Sequence, residues 1–516
     1  MATLKPWQEP LEAAQQAAGV GDMDALRAAS NALLSQWSRD PDAVMDLAAV
    51  LVSAGELSQT EALMQWCNQL APNDVRPLMA IANVWLQTLR QNESLALYQQ
   101  LPPSSGQLMA LAYQPGVSAS VSRQWAERWG QAAQQHQPPR PEGPRPKPPE
   151  DCLRIGWLSG DLCQHPVGLF LWPLVEKLSE EPGVEMVFYD AKPREDWLSE
   201  QLRGFGQWRV VAGLSDTELA EQIRNDQLSI LIELSGHTAG NRLPVLLQRP
   251  APVQWSWLGY WASTGIPEAV DAVLVDPVVA PPHSDTARSF SEELVYLPHS
   301  RWCYRPVPWM PELTEPPCLK NGWVTFGCLN SSTKLHPALL ESWAELLQRV
   351  PKSRLLLKNY QFRDQGLQKQ VRELFRRCGV DSERLMLQGP SVHSELLAVY
   401  AEIDIALDPF PFNGGLTSCE ALWMGLPLVT LAGSDSAAAM AGRQGEALLK
   451  QIGRLEWVVS SQEEYLRLAE QLAHDPAGLA VIRSTQRAAL QASELCNEAA
   501  FARDFLNRVQ EASLAD

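Results

Sequence analysis

Five stretches of this sequence place chemically capable side chains just after short apolar runs. In DIALDPFPFNGGLTSCEALWMGLPLVTL, residues 404–431, the loop Asn413-Gly414-Gly415-Leu416-Thr417-Ser418 opens onto a helix predicted from about Thr417. Backbone N–H groups and the helix dipole at such a point suit a phosphate or diphosphate. Glycines let the backbone come close to it. Glu420 falls one turn inside, where a carboxylate can accept hydrogen bonds from the two hydroxyls of a ribose. The same letters also read as an ordinary capped helix, with Thr417 as N-cap and Glu420 as its reciprocal partner. In FGCLNSSTKLHPALLESW, residues 326–343, Lys334 lies in a polar loop between a strand and a helix beginning near His336-Pro337. A lysine there can neutralise a leaving nucleoside diphosphate, or it is a solvated loop lysine.

In LRIGWLSGDLCQHPVGLF, residues 153–170, His165 stands beside a helix start near Pro166. It can take a proton from an acceptor hydroxyl or orient the acceptor, and it can equally serve as a cap or packing residue. LIELSGHTAGNR, residues 231–242, carries His237 at a strand end, and RPAPVQWSWLGYWASTG, residues 249–265, ends a Trp-rich strand in Gly259-Tyr260 and a small-residue loop. Both are expected to line one crevice mouth.

These residues need elements to hold them. From Cys152 onward short apolar runs alternate with amphipathic helical stretches: LRIGWL, VEMVFYD and LSILIEL, each followed by a helix, then VQWSWLG and DAVLVD. Such alternation predicts a parallel sheet covered by helices. After a Pro-rich stretch near 300–320 it restarts with WVTFGCL, SRLLLKN, RLMLQ, DIALD and LPLVTL, and helices fill the chain from about Gln462. Two doubly wound domains in tandem predict a ligand crevice outside the C-terminal ends of their strands.

The first 135 or so residues read as helices rich in Ala, Leu and Gln. Ala48 and Ala82, Val50 and Val84, Ala62 and Ala96, and Leu63 and Leu97 repeat at a 34-residue spacing, with Pro72 near the end of the first copy. That period is the one of helix-turn-helix repeats of the tetratricopeptide type, although a plain helical bundle would also fit. Residues 137–150, QPPRPEGPRPKPPE, form a stiff extended spacer. The expected domains are therefore helical repeats over 1–136, the spacer at 137–150, a first Rossmann-like half over 151–318 and a second over 319–516.

The bulk numbers narrow the classes of function. The 516 residues carry a net charge of −18 with 45% hydrophobic and 20% charged residues, which is globular composition without a global basic footprint for nucleic acid. No secretory leader is read at the N-terminus, and no run reaches the roughly 18–20 apolar residues of a membrane span. The nine cysteines are scattered without a Cys-x-x-Cys pair, which argues against a disulfide framework or zinc site and for a reducing cytoplasm.

In combination, RPAPVQWSWLGY, ILIELSGHT, VTFGCLNSSTK and DIALDPFP…TSCEALWMGLPLVTLAG resemble the O-GlcNAc transferase/SPINDLY family of glycosyltransferases over roughly residues 152–512, on its bacterial SPINDLY-like branch. The resemblance implies a GT-B fold, α/β with two Rossmann-like domains behind a TPR-like region. It implies inverting, metal-independent transfer of a sugar, GlcNAc or fucose, from a UDP- or GDP-linked donor to a protein Ser/Thr hydroxyl. A glycan, small-molecule or Asn acceptor, or a decayed interaction protein, are the alternatives. The only Asp-x-Asp pairs, Asp22/Asp24 and Asp40/Asp42, lie in the helical N-terminus. By resemblance, His165 is the base or acceptor-site histidine and Lys334 the lysine on the diphosphate. Ser331 contacts the donor from the same loop. Gly415, Leu416 and Thr417 match the loop around the phosphates, with Asn413 and Gly414 of the same loop counted as donor-binding, Glu420 meets the ribose, and Ser391 and His393 lie where the base is contacted. The chain departs from the family where threonines are common around Gly414–Thr417 and where a histidine is common at Leu396.

Overall fold

The computed structural model describes residues 5–135, 152–433 and 440–514. The proline-rich spacer at 137–150 lies outside them. The chain divides into two compact units: residues 1–102 with 321–396, and residues 103–320 with 397–516.

The first unit begins with six helices, Gln8–Val20, Met23–Trp37, Pro41–Ala54, Leu57–Leu70, Arg76–Gln87 and Gln91–Tyr98. The second helix of each pair starts at Met23, Leu57 and Gln91, so the 34-residue period runs through three copies. Local chemistry sets their ends. Asp22 and Asp40 accept hydrogen bonds from backbone N–H groups of the turns they open. Gly21 and Gly55 close helices in the left-handed conformation, at φ 74° and 81°. Of the repeating residues, Ala48, Ala82, Val50 and Val84 are buried between helices, whereas Ala62 and Ala96 face solvent.

Thirteen strands occur among the described residues: β1 (Leu153–Ser159), β2 (Val184–Asp190), β3 (Gln207–Val210), β4 (Ile230–Glu233), β5 (Val253–Ser256), β6 (Ala272–Val275), β7 (Glu293–Tyr296), β8 (Val324–Cys328), β9 (Ser353–Lys358), β10 (Leu385–Gln388), β11 (Ile405–Leu407), β12 (Leu428–Leu431) and β13 (Val458–Val459). In the first unit β10, β9 and β8 pair in parallel in that order, with Cys328 opposite Leu357 and Lys358 opposite Gln388. Parallel register sends the loops after all three strands out from one edge. The repeat helices are tied to that part of the chain: the Ser58 N–H and hydroxyl donate to the Asp364 carboxylate at 2.7 and 2.9 Å.

The second unit holds a seven-stranded parallel sheet in the order β3-β2-β1-β4-β5-β6-β7. The order reverses between β1 and β4, so the loops after these strands flank the topological switch point, where such sheets bind ligands. Leu153–Ser159 and Ile230–Glu233 are near-continuous apolar runs because both faces are covered. The edge strands β3 and β7 are half exposed and mixed in composition, which is why no apolar run announces them. The C-terminal helix Glu498–Leu514 returns to this sheet: Phe505 packs its ring 5.7 Å from Trp157 and 5.5 Å from Trp257. β11, β12 and β13 pair in parallel in the same unit.

Candidate active site

The loop after β11 is built around Asp408, which is fully buried. Its carboxylate accepts from the Gly414 N–H at 2.6 Å, the Thr430 hydroxyl at 2.6 Å and the Ser418 hydroxyl at 3.3 Å. That wiring folds the chain back tightly. A β-carbon on Gly414 would stand 2.2 Å from the Ser418 hydroxyl, whereas one on Gly415 would find nothing closer than 3.4 Å, at Gln444. The helix that follows is Leu416–Trp423, and its N-cap is Gly415, with no side-chain cap. Thr417 is therefore not the N-cap, and the capping-box alternative falls away. Glu420 is buried, and the Tyr400 hydroxyl lies 3.3 Å from its Oε2 and 3.0 Å from the Thr417 carbonyl. Around this turn stand Trp302, about 4 Å from where a Gly415 β-carbon would be, and Phe412, which stacks on Tyr113 at 4.8 Å. Asn413 plays an internal part. It is fully buried, donates from Nδ2 to the Pro409 carbonyl at 2.9 Å and accepts from the Gly445 N–H at 3.3 Å.

Asp408 and Tyr400 are not visible as site residues in the sequence. The one signal is an acid at a strand's C-terminal end. Tyr400 reaches Glu420 only because the turn at 399–402 packs under the later helix.

His165 follows β1 and caps the helix Pro166–Ser179, its Nδ1 accepting from the Val167 N–H at 3.4 Å. Asp161 Oδ2 is 3.7 Å from the same nitrogen. Burial against its neighbours lowers the imidazole pKa, while Asp161 works in the opposite direction. With Nδ1 accepting, the neutral ring carries its proton on Nε2, which suits orienting a hydroxyl oxygen; a base needs the other tautomer.

His237, Gly259 and Tyr260 come together after β4 and β5, in a dry cluster. His237 is 1% exposed, with Nε2 2.9 Å from the Thr264 carbonyl and Nδ1 3.0 Å from the Ser105 hydroxyl. Its ring meets Trp129 and Tyr260 edge-on at 4.5 and 5.0 Å. Gly259 is needed for close approach, since its β-carbon would sit 2.2 Å from the Leu234 carbonyl. The small-residue loop after Tyr260 has the same use: a β-carbon on Gly265 would stand 2.0 Å from the Ala126 carbonyl, so helix Ala119–Gln135 packs backbone to backbone on it. These residues seat the helices Ser105–Ala112 and Ala119–Gln135 and do not face solvent. Burial depresses the His237 pKa to about 4 and raises that of Glu233, at the end of β4, to about 7.

In the first unit Ser331 caps a single 3-10 turn, Ser332–Lys334, after β8. Lys334 Nζ donates to Asn330 Oδ1 at 3.1 Å, and Gln361 donates to the Ser331 hydroxyl at 2.8 Å. Ser391 and His393 follow β10, where His393 opens the short helix His393–Ala398. The Lys358 ammonium at the end of β9 donates to the Gly389 carbonyl at 3.0 Å. Ser331, Lys334, Ser391 and His393 thus all leave one sheet edge.

Two parallel sheets clothed in helices, with chemically capable loops at their C-terminal strand ends, define a glycosyltransferase fold of the GT-B type. The model of the family "Glycosyl transferase family 41" matches residues 131–315 and 316–505, and the chain belongs to that family. It is 36% identical over 363 residues to a probable UDP-N-acetylglucosamine–peptide N-acetylglucosaminyltransferase SPINDLY of Petunia hybrida, covering 69% of this chain and 38% of that one. The Arabidopsis thaliana protein of the same name is 35% identical over 363 residues, with 69% and 39% covered. The chain therefore spans under half the length of these curated relatives. A solved mutant of the Thermobaculum terrenum O-GlcNAc transferase superposes with a TM-score of 0.87 at 31% identity, covering 99% of this chain and 98% of the other. Among the described residues no helix is long and apolar enough to cross a membrane.

Proposed function

We propose that this chain is an inverting, metal-independent glycosyltransferase that moves a sugar, GlcNAc or fucose, from a nucleotide-sugar to a protein Ser/Thr hydroxyl. The observation that carries the reading is the helix start at Gly415–Leu416. It has no side-chain cap, stands behind a glycine held by Asp408, and has a buried carboxylate one turn on. N–H groups so presented suit a diphosphate, and Glu420 suits the ribose hydroxyls. Lys334 is proposed to meet the charge that develops on the leaving nucleoside diphosphate. His165 is proposed to orient the acceptor hydroxyl or take its proton. UDP-GlcNAc as donor and protein as acceptor follow the names of the SPINDLY relatives and of the O-GlcNAc transferase. Metal independence is supported by the fate of the Asp-x-Asp carboxylates: Asp22 and Asp40 cap helices, and Asp24 and Asp42 pair with Arg27 and Arg76.

The test is binding and turnover of UDP-GlcNAc, UDP-glucose, GDP-fucose and GDP-mannose with and without EDTA, using Lys334→Ala as control. One donor turned over by the wild type, unaffected by EDTA and lost by about 10²-fold or more in the variant, is the expected result. No turnover of any donor, or a Lys334→Ala enzyme as fast as wild type, would overturn the reading.

A further inference from the structure

The loop proposed to carry Lys334 is not held by its own sheet alone. Asn359 Nδ2 donates to the Asn330 carbonyl at 3.0 Å from the neighbouring strand end. The other side of the loop is gripped by the third helical repeat. The Ser332 hydroxyl, fully buried, donates to the Gln87 backbone carbonyl at 2.7 Å. Gln91 Nε2 donates to the Leu335 carbonyl at 3.2 Å. The Gln87 side-chain oxygen accepts from the Tyr360 hydroxyl at 2.8 Å and lies 3.5 Å from Gln361 Nε2, and that same Gln361 nitrogen donates to the Ser331 hydroxyl at 2.8 Å. Gln87, Gln91 and Gln361 are 5%, 3% and 1% exposed. Three buried glutamine amides and a buried serine hydroxyl, two of the amides donating to this turn or its flank and the third bonded to Tyr360 behind it, are costly unless they define a geometry.

We propose that the last helical repeat is a structural part of the donor site, with Gln87 and Gln91 as positioning residues for the turn that carries Ser331 and Lys334. The inference rests on the donor role proposed for that turn. Helical repeats of this kind are ordinarily read as a separate acceptor platform. Here the end of helix Arg76–Gln87 and the start of helix Gln91–Tyr98 instead set the height and orientation of the loop through Ser332, Leu335 and the Gln361–Ser331 contact. Any shift of the third repeat is thereby passed to the base of Lys334, whose ammonium is itself tethered to Asn330 in the same turn.

The experiment compares the full chain with Ser332→Ala, which removes the bond to the Gln87 carbonyl that a side-chain change at Gln87 would leave, Gln91→Ala, the double variant, and Tyr360→Phe, which deletes one hydroxyl and keeps the ring. Two readouts are needed. Hydrogen–deuterium exchange over residues 329–336 of the nucleotide-free protein reports the turn directly. Titration with UDP and with GDP, and the donor and acceptor KM values, report the donor site. Expected are faster exchange confined to that segment and roughly tenfold weaker nucleotide binding in the double variant, the size of one lost buried hydrogen bond. Donor KM should rise with acceptor KM unchanged, and Tyr360→Phe should show a smaller effect in the same direction. Unchanged exchange and unchanged nucleotide affinity in the double variant would overturn the inference. A wild type that binds neither UDP nor GDP would instead sink the donor role of the turn, while the exchange data would still decide whether the repeat positions it.

Discussion

The hydroxyl of Tyr400 lies 3.0 Å from the carbonyl of Thr417 and 3.3 Å from the carboxylate of Glu420, so one buried phenol touches both the first turn of a helix and the acid proposed to hold a ribose. Its single proton is shared between the two oxygens. Tyr400→Phe removes that proton and little else. Nucleotide affinity should fall by roughly three- to tenfold, the size of one ordinary hydrogen bond, with melting temperature nearly unchanged. Calorimetric titration with UDP checks this, and an unaltered affinity would mean that Tyr400 does not orient Glu420.

The two glycines of the donor loop should behave oppositely. Gly414→Ala drives a β-carbon to 2.2 Å from the Ser418 hydroxyl and to 3.2 Å from Asp408, so the loop must shift and turnover should drop sharply, with a stability loss of about 1–3 kcal/mol. Gly415→Ala meets no protein atom nearer than 3.4 Å and should keep the fold and its melting temperature, so that any loss of turnover there reports the close approach of the donor. Thermal melts of the pair decide it; an equal loss of stability at both positions would show that the loop is constrained by something other than the Asp408 turn.

His165 titrates below the ordinary histidine range because burial disfavours the imidazolium. If it acts in the neutral form, the acidic limb of kcat/KM should lie below the usual pKa near 6.5. Asp161 favours the charged ring, so Asp161→Asn should move that limb to still lower pH. A limb that stays put, or one that moves up, would remove His165 from the rate-determining protonation.

His237 makes a different pH prediction. Its folded pKa of about 4 lies below the unfolded value of 6.5, so its contribution is present above pH 6.5 and is lost as pH falls through 4. The linkage is on the order of 3 kcal/mol. Helices Ser105–Ala112 and Ala119–Gln135 should therefore open first in acid, seen as hydrogen exchange around Ser105 and Trp129 rising before that of β1 and β4. His237→Gln, which cannot charge, should abolish the acid-induced opening.

The legible parts of this protein were those governed by local periodicity. The apolar runs from LRIGWL to LPLVTL became ten of the strands, nine of them interior strands that must be apolar because both faces are covered, and β10 an edge strand that is apolar all the same. No apolar run marks β3, β7 and β13, which are edge or two-residue strands with half-exposed residues. The helix behind Gly415 and the polar loop before His336 were likewise readable, since glycine pairs and a His-Pro start are local signals.

What the sequence by itself determined was thus the class of fold, the 34-residue helical period and the loops in which chemistry could sit, because each depends on spacing along the chain. Only the tertiary structure decided how those loops are used. Burial by helix Ala119–Gln135 and by Ser105 turned His237, Gly259 and Tyr260 into a packing cluster. Asp408 made Gly414, and not Gly415, the glycine with no room for a side chain. Gln87 and Gln91, more than 240 residues before the turn they hold, became its partners. Such relations arise from which surfaces exclude water together, and separation along the chain carries no trace of that.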